Sequence, residues 1–219
     1  MKKLVLSVFL FYLLSASALN DVLIRIVPSS NVIEQLLGVQ NKVRQKLDKL
    51  DVDFVLFAPQ SFNISIVDVL NVLPLDKNWS IREDQLTQVI IKALHKFHNL
   101  AVVNVLDIDV LDEFDLVKTE NEHEYTVVLK VSAGGLLNFM RYELRVLLHD
   151  NGMDFKNVSY YEPSINLGSV TIANDYVAEE IRYVLMGVEV SDIKIKTDKI
   201  QLTYHDVNGM PLITDIQIA

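Results

Sequence analysis

Two similar polar pairs, each set inside an apolar stretch, constrain the fold of this chain more than any other feature. The first pair is Asn63 and Ser65, in the stretch FVLFAPQSFNISIVDVL at residues 54–70. The second is Ser164 and Asn166, about a hundred residues later in the stretch YYEPSINLGSV. Residues two apart share one face of a β-strand, so each pair presents its side chains together. The repetition predicts a duplicated architecture with a site between the two copies.

The first half of the chain alternates strand and helix signals. An apolar, β-branched strand is predicted at Val22–Val27, and Asn31 with Glu34 three residues later resembles a helix capping box. The first polar stretch predicts a strand, a Pro-Gln-Ser corner and a second strand. The remaining elements of this half are a loop at residues 73–79, a helix that starts with the capping box of Ser80 and Glu83, and a strand at Ala101–Val110.

The second half repeats this order after a charged segment. Residues 117–124 (VKTENEHE) are predicted to link two lobes, of about residues 19–116 and 125–219. The elements that follow are a strand at Tyr125–Val131, a helix between Gly134-Gly135 and Asp150-Asn151-Gly152, the strand with Ser164, a helix at Asn174–Val184, and strands at Val188–Lys196, Lys199–His205 and Leu212–Ile218, with an Asn208-Gly209 hairpin turn between the last two. This order predicts an α+β fold: one bilobal, pseudo-twofold symmetric domain, with antiparallel sheets lining a central cleft and helices outside.

The amino terminus has the pattern of a secretory signal peptide. Lys2 and Lys3 precede the apolar stretch Leu4–Leu14, and Ala16-Ser17-Ala18 provides a small-residue cleavage site. We therefore predict that residues 1–18 are removed, that residues 19–219 form the domain without a transmembrane segment, and that the protein is exported to a bacterial periplasm or secreted. An uncleaved anchor is the alternative. The chain has no cysteine, so its fold depends on its core and not on disulfides.

The charge of the chain disfavours long nucleic acid as a ligand. The full sequence has a net charge of −9, which becomes −11 when Lys2 and Lys3 are removed with the signal peptide. Such a field repels polyanions at long range and provides no basic stripe. A small nucleotide in a local pocket remains compatible with this charge.

The two polar pairs resemble the H-x-[ST] motifs of the two-histidine (2H) phosphoesterases, which include the 2′-5′ RNA ligase-like proteins and the 2′,3′-cyclic nucleotide phosphodiesterases. The resemblance extends over nearly all of residues 22–206, through the order of elements and the phrases FAPQSFNISI and EPSINLG. It implies a bilobal α+β fold with one motif per lobe facing the cleft. In that family the histidines act as general base and general acid, and the hydroxyls bind phosphate. Here Asn63 and Ser164 stand at the histidine positions, Asn166 stands at a hydroxyl position, and Ser65 matches the motif.

These replacements point to binding without proton transfer. Amides and unactivated hydroxyls cannot exchange a proton near pH 7 as imidazole can, but they can hydrogen-bond a phosphate or a sugar. The cleft candidates are Asn63, Ser65, Ser164, Asn166 and Tyr161, a residue that could stack on a base. The predicted function is therefore that of a catalytically degenerate phosphoesterase-like protein that binds a small phosphate- or nucleotide-like ligand, or a protein partner.

Two other functions stay open on the sequence. One is an active cyclic phosphodiesterase or 2′-5′ RNA ligase-like enzyme with non-standard catalytic residues. The other is a structural envelope protein in which the polar residues are satisfied inside the sheet. No motif predicts a cofactor. His95 and His98 are three residues apart near a helix end, where exposure and the helix dipole explain them better than a metal does.

Overall fold

The computed structural model describes residues 22–69, 79–101, 105–156, 162–190, 192–205 and 211–218. These residues form four α-helices and nine strands. The helices are α1 (Ser30–Leu47), α2 (Trp79–Ala101), α3 (Leu136–Asp150) and α4 (Asp175–Leu185). The strands are β1 (Val22–Ile26), β2 (Phe54–Leu56), β3 (Ile64–Val69), β4 (Leu106–Lys118), β5 (Glu124–Ser132), β6 (Ser164–Thr171), β7 (Lys194–Thr197), β8 (Lys199–His205) and β9 (Pro211–Gln217).

All nine strands belong to one antiparallel sheet. Eight of them follow the order β7-β4-β5-β6-β3-β1-β8-β9, and β2 pairs separately with β6. The two polar stretches are therefore the neighbouring central strands β3 and β6, with three further strands outside each. They meet at a single residue pair, Ile64 and Ile165. The predicted α+β class with antiparallel strands is confirmed.

One face of the sheet is covered by the helices, and the other carries the polar residues. In β1, Val22, Ile24 and Ile26 are fully buried, whereas Leu23 and Arg25 between them are half-buried. The same alternation continues across the sheet, and one core cluster joins its buried face to all four helices. Because side chains alternate between the faces of a strand, the polar residues that remain lie on the uncovered face.

The two halves of the sheet are interleaved in the sequence. The residues predicted to link the lobes are the end of β4, a turn at residues 119–123 and the first residue of β5. This hairpin keeps β4 beside β5, in the half of the sheet that contains β6. The carboxyl-terminal strands β8 and β9 return to the other half and extend it beyond β1. A division in chain order, at residues 117–124, therefore does not coincide with the division of the sheet.

Several element boundaries differ from those predicted. Helix α1 begins at Ser30 with Ser29 as its N-cap and no side-chain capping bond, so the predicted capping by Asn31 is wrong. Ser80 is also wrong as a cap, because α2 begins at Trp79. That helix extends to Ala101, where a strand was predicted, and β4 begins at Leu106. The strand predicted from Val188 begins at Lys194, since residues 188–190 follow the end of α4 without strand pairing.

Other helix ends confirm the local signals. The Asn174 side chain caps α4 by accepting a hydrogen bond of 3.1 Å from the Val177 backbone N–H. Helix α3 ends at Asp150, and Gly152 follows with a φ of 68°, a left-handed conformation that favours glycine.

Three predictions lie outside the described residues: the signal peptide at 1–18, Tyr161 in the cleft and the Asn208-Gly209 turn. The strands on either side of that turn do pair antiparallel, as a hairpin requires. Among the helices that the structure describes, none is long and apolar enough to cross a membrane.

Candidate functional site

The two polar pairs lie together in one cavity where β3 meets β6. Asn63, Ser65, Ser164 and Asn166 all line this cavity, whose volume is about 560 Å³. The pairing of Ile64 with Ile165 places Ser65 opposite Ser164 and Asn63 opposite Asn166, because positions advance in opposite directions along antiparallel strands. Directly opposite residues project from the same face of a sheet. The structure thus brings together four of the five predicted site residues.

A bulge in β3 adds a carboxylate to the cavity. Ile24 of β1 pairs with Val67, but its neighbour Arg25 pairs with Ser65, so one residue of β3 is skipped. Asp68, three residues after Ser65, therefore lies on the same face and lines the cavity. The Ser65 hydroxyl donates a hydrogen bond of 2.7 Å to the Asp68 Oδ1 atom.

Hydrogen bonds from side chains to backbone carbonyls fix the corner before Asn63. The Asn63 Nδ2 group donates to the Ser61 carbonyl at 2.8 Å, within the turn that leads into β3. Behind the corner, the buried Gln40 of α1 donates from Nε2 to the carbonyls of Phe57 at 2.9 Å and Leu167 at 2.6 Å. One helix side chain thus holds both polar stretches in position.

A glycine permits the close approach of β2 and β6 in the same region. Gly168 of β6 lies against Phe54 and Val55, and a Cβ at this position would overlap the Phe54 ring and the Val55 carbonyl oxygen. Strand β2 could not pair with β6 at this distance if residue 168 carried a side chain.

Lys130 of β5 lines the cavity as a cation. It pairs with Ser164 where β5 lies beside β6, so it stands next to that hydroxyl. Its Nζ atom forms an ion pair of 2.8 Å with the Glu162 Oε2 atom. The hydrogen bond to Glu162 is the largest cause of the raised pKa of Lys130, and burial opposes it. Lys130 is therefore a permanent cation at neutral pH.

Two more cations line the same end of the cavity. Arg141 of α3 is 7% exposed and donates from a terminal guanidinium nitrogen to the Ile66 carbonyl, at the bulge of β3. Lys156 follows α3, and its backbone N–H donates to the Asp68 carbonyl at 2.8 Å. The Lys156 side chain is more than half exposed and lies 3.9 Å from a Glu120 oxygen.

The charged groups of the cavity balance, although the chain as a whole is strongly acidic. Among the described residues, the wall has three cations, Lys130, Arg141 and Lys156, and three carboxylates, Asp68, Asp115 and Glu162. With a net charge of −9 overall, a locally neutral cavity repels an anionic ligand less than the average surface of the chain does. It offers hydroxyl, amide and cationic donors.

No histidine is among the described residues that line the cavity. His123 lies in the turn between β4 and β5, and His149 lies near the end of α3. His95 lines a separate groove between α2 and β9. Nor do the described residues contain a group of three or more histidine and carboxylate side chains that could hold a metal ion. The arrangement can donate hydrogen bonds and balance charge, but its described lining contains no imidazole that could act as a general acid or base.

Sequence reasoning missed the charged residues of the wall. Lys130 interrupts the apolar run of residues 127–131 in β5 and shares the face of its neighbours two residues away, so strand alternation could have found it. Asp68 depends on the bulge, and Arg141 reaches the cavity from a helix. No local pattern identifies either of them.

The fold that holds this cavity is similar to the folds of several solved structures. The chain is similar to Usb1 of Kluyveromyces marxianus, solved with uridine monophosphate, with a TM-score of 0.57 and 8% identity over 91% of this chain and 99% of that one. It is also similar to TT0787 of Thermus thermophilus, with a TM-score of 0.52 and 13% identity over 90% and 95% of the two chains. A structure described as a phosphoesterase gives a TM-score of 0.51 and 8% identity over the same shares.

The resemblance to the 2H phosphoesterases is confirmed at the level of the fold, since Usb1 is a member of that family. No family model matches the sequence, and no curated protein matches it. At 8–13% identity the structural similarity concerns the fold alone.

Proposed function

We propose that this protein binds a small phosphate- or nucleotide-like ligand in the cavity between β3 and β6, and that it does so without acid–base catalysis. The observation that carries the proposal is the convergence of Asn63, Ser65, Ser164 and Asn166 on one cavity of about 560 Å³. A cavity of this size is within the range that holds small ligands.

The residues present explain why turnover is not expected. Phosphodiester hydrolysis by two histidines depends on one base and one acid, and each such group contributes roughly 10²–10⁴ in rate. Asn63 and Ser164 occupy both positions. The hydroxyl of Ser65, the residue that matches the motif, already donates a hydrogen bond to Asp68.

The experiment is a binding and turnover assay on the same sample. Purified protein is incubated with uridine monophosphate, uridine and 2′,3′-cyclic uridine monophosphate. Thermal denaturation reports binding, and chromatography reports product. We expect both phosphates to stabilise the protein, with no product from the cyclic compound.

Each of the other functions predicts a different result. Product formation that disappears in Asn63→Ala and Ser164→Ala variants would establish the enzyme with non-standard residues instead. Absence of both binding and turnover would favour a protein-binding or structural role, and would overturn the proposal.

Export is a further part of the proposal and rests on residues 1–18 alone. The mass of the native protein tests it: loss of 18 residues supports cleavage, and an intact amino terminus in a cytosolic fraction contradicts export.

A further inference from the structure

A single arginine lies opposite Ser65, a residue of the cavity wall, and has no ion-pair partner among the described residues. Arg25 lies in β1, where it pairs with Ser65 of β3 on one side and Gln201 of β8 on the other. Directly opposite residues of antiparallel strands project from the same face, so the Arg25 side chain shares the uncovered face with Ser65. The guanidinium is thus next to the residue that matches the phosphoesterase motif.

Arg25 forms no hydrogen bond or ion pair with any residue that the structure describes, and its Nε atom is buried. Burial also lowers the pKa of Arg25. The other cations near the site are different: Lys130 is paired with Glu162, and Arg141 binds the Ile66 carbonyl. A half-buried guanidinium without a counter-ion is unfavourable, because its lost hydration is not replaced.

A bound anion would supply the missing partner. A guanidinium presents a planar fork of N–H donors that matches two oxygens of a phosphate, whereas Gln201 and Ser65 on either side are uncharged. Arg25 is not itself one of the described residues that line the cavity, but it adds a positive charge opposite one of them, Ser65, within a chain of net charge −9.

We propose that Arg25 is the anion-binding residue of the cleft, and that its guanidinium holds the phosphate group of the ligand beside Ser65. This inference rests on the proposed function, and it names the charged group that the ligand must have. It also explains why an unpaired charge remains on this face: the position is unfavourable for the empty protein and favourable for the complex.

The test compares ligands that differ by one phosphate. Uridine monophosphate and uridine are titrated into the protein and into Arg25→Gln, Arg25→Lys and Arg44→Gln variants. Arg44 lies on α1, is more than half exposed, and provides a matched loss of one positive charge away from the cavity. Inorganic phosphate is a third probe that separates recognition of the phosphate from recognition of the nucleoside.

We expect Arg25→Gln to weaken the binding of uridine monophosphate and of inorganic phosphate by roughly ten- to a hundredfold, the effect of losing hydrogen bonds to a charged group. The affinity for uridine should change by less than about twofold. Arg25→Lys should fall between, since it keeps the charge and loses the fork. The ligand-free Arg25→Gln protein should melt no lower than Arg44→Gln, because it loses an unfavourable charge and no partner.

Two results separate the inference from the proposed function. If the parent protein prefers uridine monophosphate over uridine and Arg25→Gln keeps that preference, the role of Arg25 is overturned while ligand binding stands. If the parent is stabilised by neither phosphate compound, both are overturned. A ligand-free Arg25→Gln protein that melts well below Arg44→Gln, with unchanged phosphate affinity, would assign Arg25 a structural role instead.

Discussion

Restoring two histidines tests the interpretation of the cavity most directly. The variant Asn63→His, Ser164→His and Asn166→Thr rebuilds an H-x-[ST] motif on both central strands. The pairing of Ile64 with Ile165 makes Asn63 and Ser164 diagonal neighbours across β3 and β6. Diagonal neighbours in an antiparallel pair have Cα atoms about 7–8 Å apart. Two imidazoles at these positions would therefore stand on either side of a space in which a phosphate group fits.

The size of the expected gain follows from which groups are added. One base and one acid each contribute roughly 10²–10⁴ in a selected enzyme, and residues that act as a unit are not additive. The surrounding groups here have not been selected to orient imidazoles, and a site left about 1 Å loose loses most of its rate. We expect about tenfold faster hydrolysis of 2′,3′-cyclic uridine monophosphate than by the parent.

The assay is product formation measured by chromatography across pH 5 to 9. Restored catalysis should give a bell-shaped dependence on pH, since one imidazole must be neutral and the other protonated. The control is Asn63→Gln, Ser164→Asn and Asn166→Thr, which enlarges both side chains without adding a titrating group. A parent or control as active as the histidine variant would refute the role assigned to the missing imidazoles. So would a folded histidine variant that binds uridine monophosphate and hydrolyses no faster than the control.

Two further predictions concern the supports of the site. Gln40→Met should lower the free energy of unfolding by about 2 kcal/mol, because the Phe57 carbonyl loses its hydrogen-bond donor. The Leu167 carbonyl also loses the Gln40 amide, but it still accepts a hydrogen bond from the Phe57 backbone N–H. The corresponding fall in melting temperature is roughly 4–8 °C for a domain of this size, and an unchanged value would mean that water replaces the amide. The Lys130 pKa is raised above 10.5 in the folded protein, so its ion pair with Glu162 stabilises the fold below that pH and is lost as pH rises through the folded pKa. The stability difference between parent and Lys130→Gln should therefore be constant from pH 6 to 9 and shrink above about pH 10.5 in urea titrations, and a difference independent of pH would contradict the ion pair.

Local patterns predicted those parts of the structure that local interactions determine. Asn63 and Ser65 share a face because the strand period is two, and α3 ends at Asp150 because Gly152 adopts the left-handed conformation that stops a helix. The predicted caps Asn31 and Ser80 both lie inside their helices: the N-cap of α1 is Ser29, two residues earlier, and α2 already begins at Trp79.

The parts that could not be predicted depend on contacts between distant residues. Strands β8 and β9 complete the half of the sheet that begins with β1, although about 175 residues separate β1 from β8. The bulge in β3 exists because two strands pair out of step, and it alone places Asp68 in the cavity. Arg25 was hidden for a different reason. Its position in an apolar strand is plain from the sequence, but the absence of a partner among the described residues is a property of the folded protein.

The hydrogen bonds of the cavity weigh against a purely structural role for its polar residues. Inside the first stretch, Asn63 bonds to Ser61 and Ser65 to Asp68, as expected if the sheet satisfied its own polar groups. The second stretch differs: within the described part of the chain, the side chains of Ser164 and Asn166 form no hydrogen bond, and Asn166 is exposed. A structural role would require both strands to be satisfied and the space between them filled, yet the cavity measures about 560 Å³. The side chains of Asn63 and Ser65 are already hydrogen-bonded within their own stretch. The side chains of Ser164 and Asn166 can still hydrogen-bond a ligand, and this arrangement favours binding of a small polar molecule.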